Sequence, residues 1–346
     1  MPESTSNLTP FERTSEVYRR LVAVIADGAL LFVGAGSSCR VGYPGWDELL
    51  RRLSEAAKRA NPNRTDEVEK VQGVNGLLQA DTYRSVLGDA AYYNEIRFAF
   101  GPRTPQHDLF HEMLVGLPFN HVLTTNYDRV LQSAHAQVFN NAADSFDVDQ
   151  WPQLSEFVQR HTTPGHGRRY VHVHGSISRP EGIVLCQTDY YARYVHETRA
   201  KTFLQQILTG QRVVFVGFSL EDADLNYILE NVAGRLGLTD PRHFVLLPRP
   251  STADEGRVKQ EDLKGKYRIE PVYFDNSAKD FSSLVALVTA LVEDVQTNQQ
   301  RDRYVRVEAL PNLLKDLLAD QPEQVEALKQ RLPKLLQRHA DRKSVV

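Results

Sequence analysis

Six short runs rich in β-branched and aromatic residues recur along the chain, and the stretches between them carry helical periodicity. They read LLFVG (30–34), HVLTTN (121–126), YVHVH (170–174), RVVFVG (212–217), HFVLL (243–247) and PVYF (271–274). Strands that alternate with helices are joined by right-handed crossovers, which make neighbouring strands parallel and cover both faces of the sheet. The expected fold class is therefore α/β, with a doubly wound (Rossmann-like), mostly parallel sheet. Between Leu50 and Phe119 the pattern is helical with no strand, which predicts a helical small domain inserted at about 50–119. The expected organisation is an N-terminal helical segment over 1–27, the α/β domain over 28–296 and a helical C-terminal tail over 297–346. The tail carries Leu313, Leu314, Leu317 and Leu318 at helical spacing, then a second short helix around Val325, Leu328 and Leu332. Such a tail either packs as a helical pair on its own domain or serves as an oligomer or partner interface.

Composition narrows the function classes. A chain of 346 residues is long enough to bury a sizeable core. Its formal charge of −3 gives no general attraction to nucleic acid or to an anionic membrane, so direct nucleic-acid binding is not expected. No apolar run approaches the roughly 20 residues of a membrane span, and the polar start MPESTSNLTPFERTSE lacks the apolar segment of a signal peptide. A cytoplasmic protein is the expectation. The two cysteines, Cys39 and Cys186, form no C-x-x-C pair and argue against a disulfide framework or a structural zinc module.

Ligands of open α/β sheets bind beyond the carboxyl ends of the strands, and four of these ends are small or polar. After the first strand, Gly34-Ala35-Gly36 lets backbone amides approach a phosphate, and Ser37 and Ser38 add hydroxyl donors. Position 39 is cysteine, so the dinucleotide fingerprint G-x-G-x-x-G is incomplete, and a bare G-A-G turn is equally compatible with a structural role. The second end places Thr125, Asn126 and Asp128 just past a buried strand, where Asn and Asp also serve turns and helix caps. In the third, strand alternation puts His172 and His174 on one face roughly 7 Å apart. That spacing suits a metal, but no further ligands complete a shell; His174, beside Gly175, suits a general base. The fourth end, Gly217-Phe218-Ser219, enters a helix whose first turn holds Glu221, Asp222 and Asp224. These acids complement the helix dipole and would repel a phosphate, so a ribose or an adenine edge suits this loop better.

Taken together and in order, these elements resemble the sirtuin family. The resemblance rests on Gly34-Ala35-Gly36-Ser37-Ser38 with Gly42-Tyr43-Pro44, then Asn126-Tyr127-Asp128, His174-Gly175 and Gly217-Phe218-Ser219-Leu220, and spans roughly residues 28–296. The departures are a missing four-cysteine zinc module, Thr125 where a glutamine usually precedes the asparagine, and Trp46-Asp47 in place of Phe-Arg. The pattern is more similar to the sirtuin-like domains of bacterial anti-phage systems, which hydrolyse NAD and starve the infected cell.

The resemblance implies that 28–296 is an NAD-binding catalytic domain, that NAD is the substrate and that no zinc is held. It makes Asn126 and His174 the catalytic residues. Asn126 would hold the ribose hydroxyls or orient the attacking water, and His174 would accept a proton. Gly34, Ala35, Gly36, Ser37 and Ser38 would hold the pyrophosphate, Gly217, Phe218 and Ser219 the adenosine ribose, and Trp46 would lie near the nicotinamide. Thr125, Asp47 and Asp128 complete the implied site, the two acids supporting charge or capping helices. An NAD-dependent protein deacylase and a catalytically silent NAD- or ADP-ribose-binding assembly module are the alternatives. Fewer than about 50 residues follow the enzyme-like domain, which is short for a sensor domain. Control is therefore expected through homo-oligomerisation and a separately encoded partner, a HerA-type ring ATPase ahead of a short Argonaute complex.

Overall fold

The computed structural model describes residues 13–104, 106–150, 168–196, 198–218, 223–236, 241–276 and 281–317. The chain divides into two compact units, Met1–Val292 and Glu293–Val346. In the second unit the described residues, 293–317, are α-helical. Leu318 and the helix expected around Val325, Leu328 and Leu332 lie outside the described residues, as do positions 1–12 of the expected N-terminal segment.

The first unit is built on one seven-stranded sheet: β1 (Leu30–Val33), β2 (Val122–Thr124), β3 (Asp144–Asp147), β4 (Arg169–His172), β5 (Val213–Val216), β6 (His243–Pro248) and β7 (Ile269–Phe274). The strand order is β3-β4-β2-β1-β5-β6-β7 and every pairing is parallel. The two central strands, LLFV and VVFV, are buried at every position because helices cover both faces, which is why their sequences are continuously apolar.

The sheet corrects the sequence reading in two places. Strand β3, Asp144-Ser-Phe-Asp147, lacks an apolar run, and its first two residues are exposed at the sheet edge. Strand β4 ends at His172, so His174 is not its strand mate; it sits in the turn that continues through Gly175, whose φ is +77°. Pro271 lies inside β7, where an edge strand tolerates a missing donor.

Helices α1 (Glu16–Ala26), α2 (Ala35–Ser38), α3 (Trp46–Ala60), α4 (Thr65–Lys70), α5 (Gly76–Leu87), α6 (Asp89–Phe100), α7 (Leu109–Gly116) and α8 (Val130–Phe139) precede β3. Helix α3 starts with Asp47 and Glu48 and ends with Lys58 and Arg59, matching the helix dipole at both ends. It buries Leu49, Leu50, Leu53, Ala56 and Ala57 on one face. Leu49, Leu50, Leu53 and Ala57 meet Tyr83, Tyr92, Ile96 and Phe100 from α5 and α6 in a core of their own, so the helices between β1 and β2 form a lobe beside the sheet. The larger core joins Phe32, Phe215 and Val245 of the sheet to Phe203, Leu204 and Ile207 of α10 (Thr198–Gly210). That helix follows α9 (Gln187–Tyr190) and one π-helical stretch, Tyr191–His196. The remaining helices are α11 (Ala223–Leu236), α12 (Ala253–Gly265) and α13 (Ser282–Leu317). No helix among the described residues is long and apolar enough to cross a membrane.

Burial also sets a pH response. His243 is 2% exposed, and its Nδ1 accepts the Val213 amide at 3.2 Å. Burial, with a smaller effect of the Arg242 charge, pushes its pKa down from 6.5 to about 3. The unfolded chain binds this proton below pH 6.5 and the folded chain does not, so stability present above that pH is lost as pH falls toward 3. The limiting slope is about 1.4 kcal/mol per pH unit. His243→Asn keeps an acceptor near Nδ1 without the titration. Urea unfolding at pH 7 and pH 5 should show a pH dependence shallower by one proton in this variant; an equal dependence refutes the assignment.

Candidate functional site

The sheet changes winding direction at β1 and β5: the chain goes from β1 to one side and from β5 to the other. Parallel sheets bind ligands at such a switch point. Here Gly34 follows β1 and Gly217 follows β5, and they meet. A Cβ on Gly34 would lie 2.5 Å from the Gly217 carbonyl oxygen, and one on Gly217 would lie 2.7 Å from the Ser37 nitrogen. Gly36 donates its N–H to the Gly217 carbonyl at 3.0 Å. The glycines are thus required first by the backbone contact of two loops. The Gly36 amide expected to face a phosphate is engaged in that contact.

A cavity of about 730 Å³ opens over this contact, within the range usual for small-molecule sites, roughly 300–1,000 Å³. It is lined by Gly34, Ala35, Gly36, Ser38, Trp46, Thr125, Asn126, Asp128, His174, Gly217 and Phe218, all of them expected from the sequence. Two expected residues are placed otherwise, and a third falls outside the described residues. Ser37 is 1% exposed and turns inward, its hydroxyl donating to the Gly34 carbonyl at 2.9 Å, because α2 begins directly after β1 and brings that hydroxyl back onto its own turn. It does not line the cavity. Asp47 is exposed in the first turn of α3, where it complements the dipole. Ser219 lies outside the described residues, together with Leu220, Glu221 and Asp222.

Asn126 stands at the centre. It is 5% exposed, and its amide nitrogen donates to the Gly34 carbonyl at 3.1 Å and the Ser38 hydroxyl at 2.9 Å, with Ser37 Oγ at 3.4 Å. Those bonds fix the amide plane. Its Oδ1 is buried without a hydrogen-bond partner among the described residues. A buried carbonyl left unpaired costs about 1–3 kcal/mol, so this oxygen is the acceptor of the side chain that the protein's described groups do not use.

The neighbours of Asn126 hold it in place. His172 donates from Nδ1 to the Asn126 backbone carbonyl at 2.8 Å and accepts the Gln132 amide at Nε2. Burial lowers its pKa, so it is a neutral supporting group and not half of a metal pair. Asp128 is 3% exposed; it accepts the Val130 amide at 3.0 Å, capping α8, and the Ser38 hydroxyl. Burial pushes its carboxyl pKa up in spite of those bonds. His174 is 7% exposed and lies edge-on to Tyr190 and Tyr194, with centroids 5.3 and 6.0 Å away. Its carbonyl accepts the Val184 amide at 2.8 Å, tying the turn after β4 to the following chain. Trp46 is 39% exposed and lies against Gly76 at the lobe side of the cavity.

A second layer was not anticipated. Fully buried His111 contacts the Ser37 carbonyl through Nε2 at 3.1 Å and has Nδ1 2.6 Å from Asp108 Oδ1, while Arg40 reaches Asp108 Oδ2 at 3.2 Å. Burial alone would raise the Asp108 carboxyl pKa, but the His111 bond and charge and the Arg40 charge hold it well below the usual range. The visible signal was Asp-x-x-His at the start of α7, which forms a capping box. Among the described residues no group of three or more His, Cys, Asp and Glu side chains is placed to hold a metal ion.

Residues 120–272, which carry Asn126, His174 and the Gly217 loop after β5, match the family model described as a SIR2-like domain. Over that stretch the chain is similar to SIR2-like domains. The NAD(+) hydrolase ThsA of Bacillus cereus (strain MSX-D12) is 25% identical over 285 residues, covering 79% of this chain and 56% of that protein. The ThsA of Acinetobacter baumannii (strain 532279) is 27% identical over 224 residues, covering 65% and 43%. Defense-associated sirtuin 2 of Bacillus subtilis is 22% identical over 281 residues, covering 78% and 26%. The chain spans about half the length of the two ThsA relatives. The parallel sheet and its switch-point cavity, which extend beyond the matched residues to β1, supply the α/β architecture expected from the strand pattern.

Proposed function

We propose that the protein is an NAD hydrolase that breaks the bond between nicotinamide and C1′ of its ribose, and that it serves as an NAD-depleting effector of anti-phage defence. The observation that carries this reading is the Asn126 side chain, whose nitrogen is pinned while its oxygen waits, buried, in a cavity shared with His174. A ribose hydroxyl or a water supplies the missing donor.

In the reaction the C1′–N1 bond breaks, and its electron pair neutralises the pyridinium as nicotinamide leaves. Positive charge then develops on the ribose ring. The Asn126 oxygen stabilises a hydroxyl or the attacking water beside that charge, and the buried Asp128 lies close by. Water adds its oxygen to C1′, and His174 takes the proton released, giving ADP-ribose. Trp46 and the apolar lobe residues Leu49 and Phe100 wall the same space and limit bulk water. ThsA relatives named for NAD hydrolysis support the substrate assignment.

Hydrolysis in water enriched in oxygen-18 should place the label in ADP-ribose, with one nicotinamide released per NAD consumed. Label appearing in mononucleotide phosphate would mean pyrophosphate cleavage and refute the reading. Binding of NAD without turnover in every assembly state would select the silent-module alternative.

Control forms the second half of the proposal. Activity is held in check by self-association and by a separately encoded partner, a HerA-type ring ATPase or a short Argonaute complex, as the family resemblance implies. Light scattering on the purified protein should give an oligomer, and a monomer at micromolar concentration contradicts it.

A further inference from the structure

The cavity extends past β5 to the far side of the switch point, where Leu246, Leu247 and Pro248 at the end of β6, Lys259 of α12, Phe274 at the end of β7 and Phe281 line it. Asn126 and His174 stand on the β2–β4 side, so a dinucleotide whose nicotinamide ribose meets them lays its adenosine half here. That orientation rests on the NAD-hydrolase reading.

Phe281 is the unusual member of this wall. Its φ is +58°, in the left-handed region that glycine and asparagine enter readily and that bulky residues enter at a cost in conformational energy. Backbone bonds hold it there: its N–H donates to Asn276 Oδ1 at 3.2 Å, and its carbonyl accepts the Leu284 and Val285 amides at 3.1 and 3.2 Å as α13 begins. A glycine would make the same turn without strain, so the turn does not account for the phenyl ring. Packing accounts for only part of it. The ring centroid lies 6.3 Å from that of Phe274, with the planes 52° apart, yet Phe281 stays 36% exposed where Phe274 is 3% exposed. Strained residues persist at ligand sites where the strain aims a side chain, and here it keeps an aromatic ring at the cavity.

We propose that Phe281 is a stacking platform for the adenine base, so that the enzyme recognises the far half of its substrate through the flat face of a purine. Aromatic rings gain from such contact with any base, and the flanking Leu246, Leu247 and Pro248 add apolar surface to the same end of the cavity.

The experiment measures, by calorimetry on the full chain, affinity for ADP-ribose, which carries the adenine, and for nicotinamide mononucleotide, which does not; kcat and KM for NAD follow. Phe281→Leu keeps an apolar side chain and removes the aromatic face. It should weaken ADP-ribose binding about tenfold, within the range of one base stacked on one ring, and leave nicotinamide mononucleotide unchanged. Phe281→Trp should keep the parental ratio of the two affinities. Glycine adopts this φ freely, so Phe281→Gly removes the ring without adding strain, and its loss should match that of Phe281→Leu. KM for NAD should rise in parallel with kcat unchanged, because the stack is the same in the ground and transition states. Parental ADP-ribose affinity in Phe281→Leu, an equal loss for both ligands, or a loss confined to nicotinamide mononucleotide overturns the proposal. If no NAD is cleaved in any assembly but ADP-ribose affinity depends on the ring as expected, the hydrolase reading fails and the stacking stands.

Discussion

Replacing Asn126 by alanine is expected to lower NAD cleavage at least about 100-fold, the range lost when a single preorganised polar group at a developing charge is removed. The variant loses the unpaired Oδ1 and also the nitrogen that bridges the Gly34 carbonyl to Ser38. Stability should therefore fall by about 1–3 kcal/mol through the exposed acceptors, so the assay is run well below the variant's unfolding temperature. His174→Ala should be comparably inactive with a smaller effect on folding, because the His174 backbone bond to Val184 survives the change. Parental activity in either variant removes that residue from the chemistry. Loss in Asn126→Ala with full activity in His174→Ala would leave the proton to solvent.

A second large effect is expected from Gly217→Ala. The new Cβ would meet backbone at 2.7 Å from Ser37 and 2.9 Å from Gly34, on a residue whose φ is +71°. Neither neighbour is a flexible side-chain end, so the β1 and β5 loops must separate. Gly42 is the internal comparison: its φ is +86°, yet nothing lies within 4 Å of its added Cβ. Gly42→Ala should lose only the left-handed penalty of about 1–2 kcal/mol, and Gly217→Ala should lose at least about 3 kcal/mol or, if the loops part, most of its affinity for NAD. Denaturant unfolding and product binding measured on both variants test this. Equal losses would mean that the loop contact carries no weight.

The contrast between these glycines shows what the sequence could reveal. Gly34, Gly36 and Gly217 were visible as strand-end punctuation, because buried parallel strands read as unbroken apolar runs that stop abruptly. Their reason was not visible, since it lies in a contact between segments nearly 200 residues apart. Asn126, Asp128 and His174 were legible for the same positional reason, and all three line the cavity. The register of the histidines was misread because VHVH alternates as a strand would, while the pairing ends at His172. Ser37 was misplaced because the helical turn begins one residue after Gly34 and folds its hydroxyl inward. Strand β3 escaped notice because an exposed edge needs no apolar run. Lys259 comes from a crossover helix remote from every motif, and only the folded sheet brings it to the cavity.

The measurement that bears most directly on the central claim is nicotinamide release from NAD, followed by chromatography, for the purified protein alone and with the product of its neighbouring gene, against Asn126→Ala. Stoichiometric release by the parent in at least one of the two assemblies, reduced about 100-fold or more in the variant, is the predicted result. NAD left intact by the parent in both, or release by Asn126→Ala at the parental rate, would contradict it.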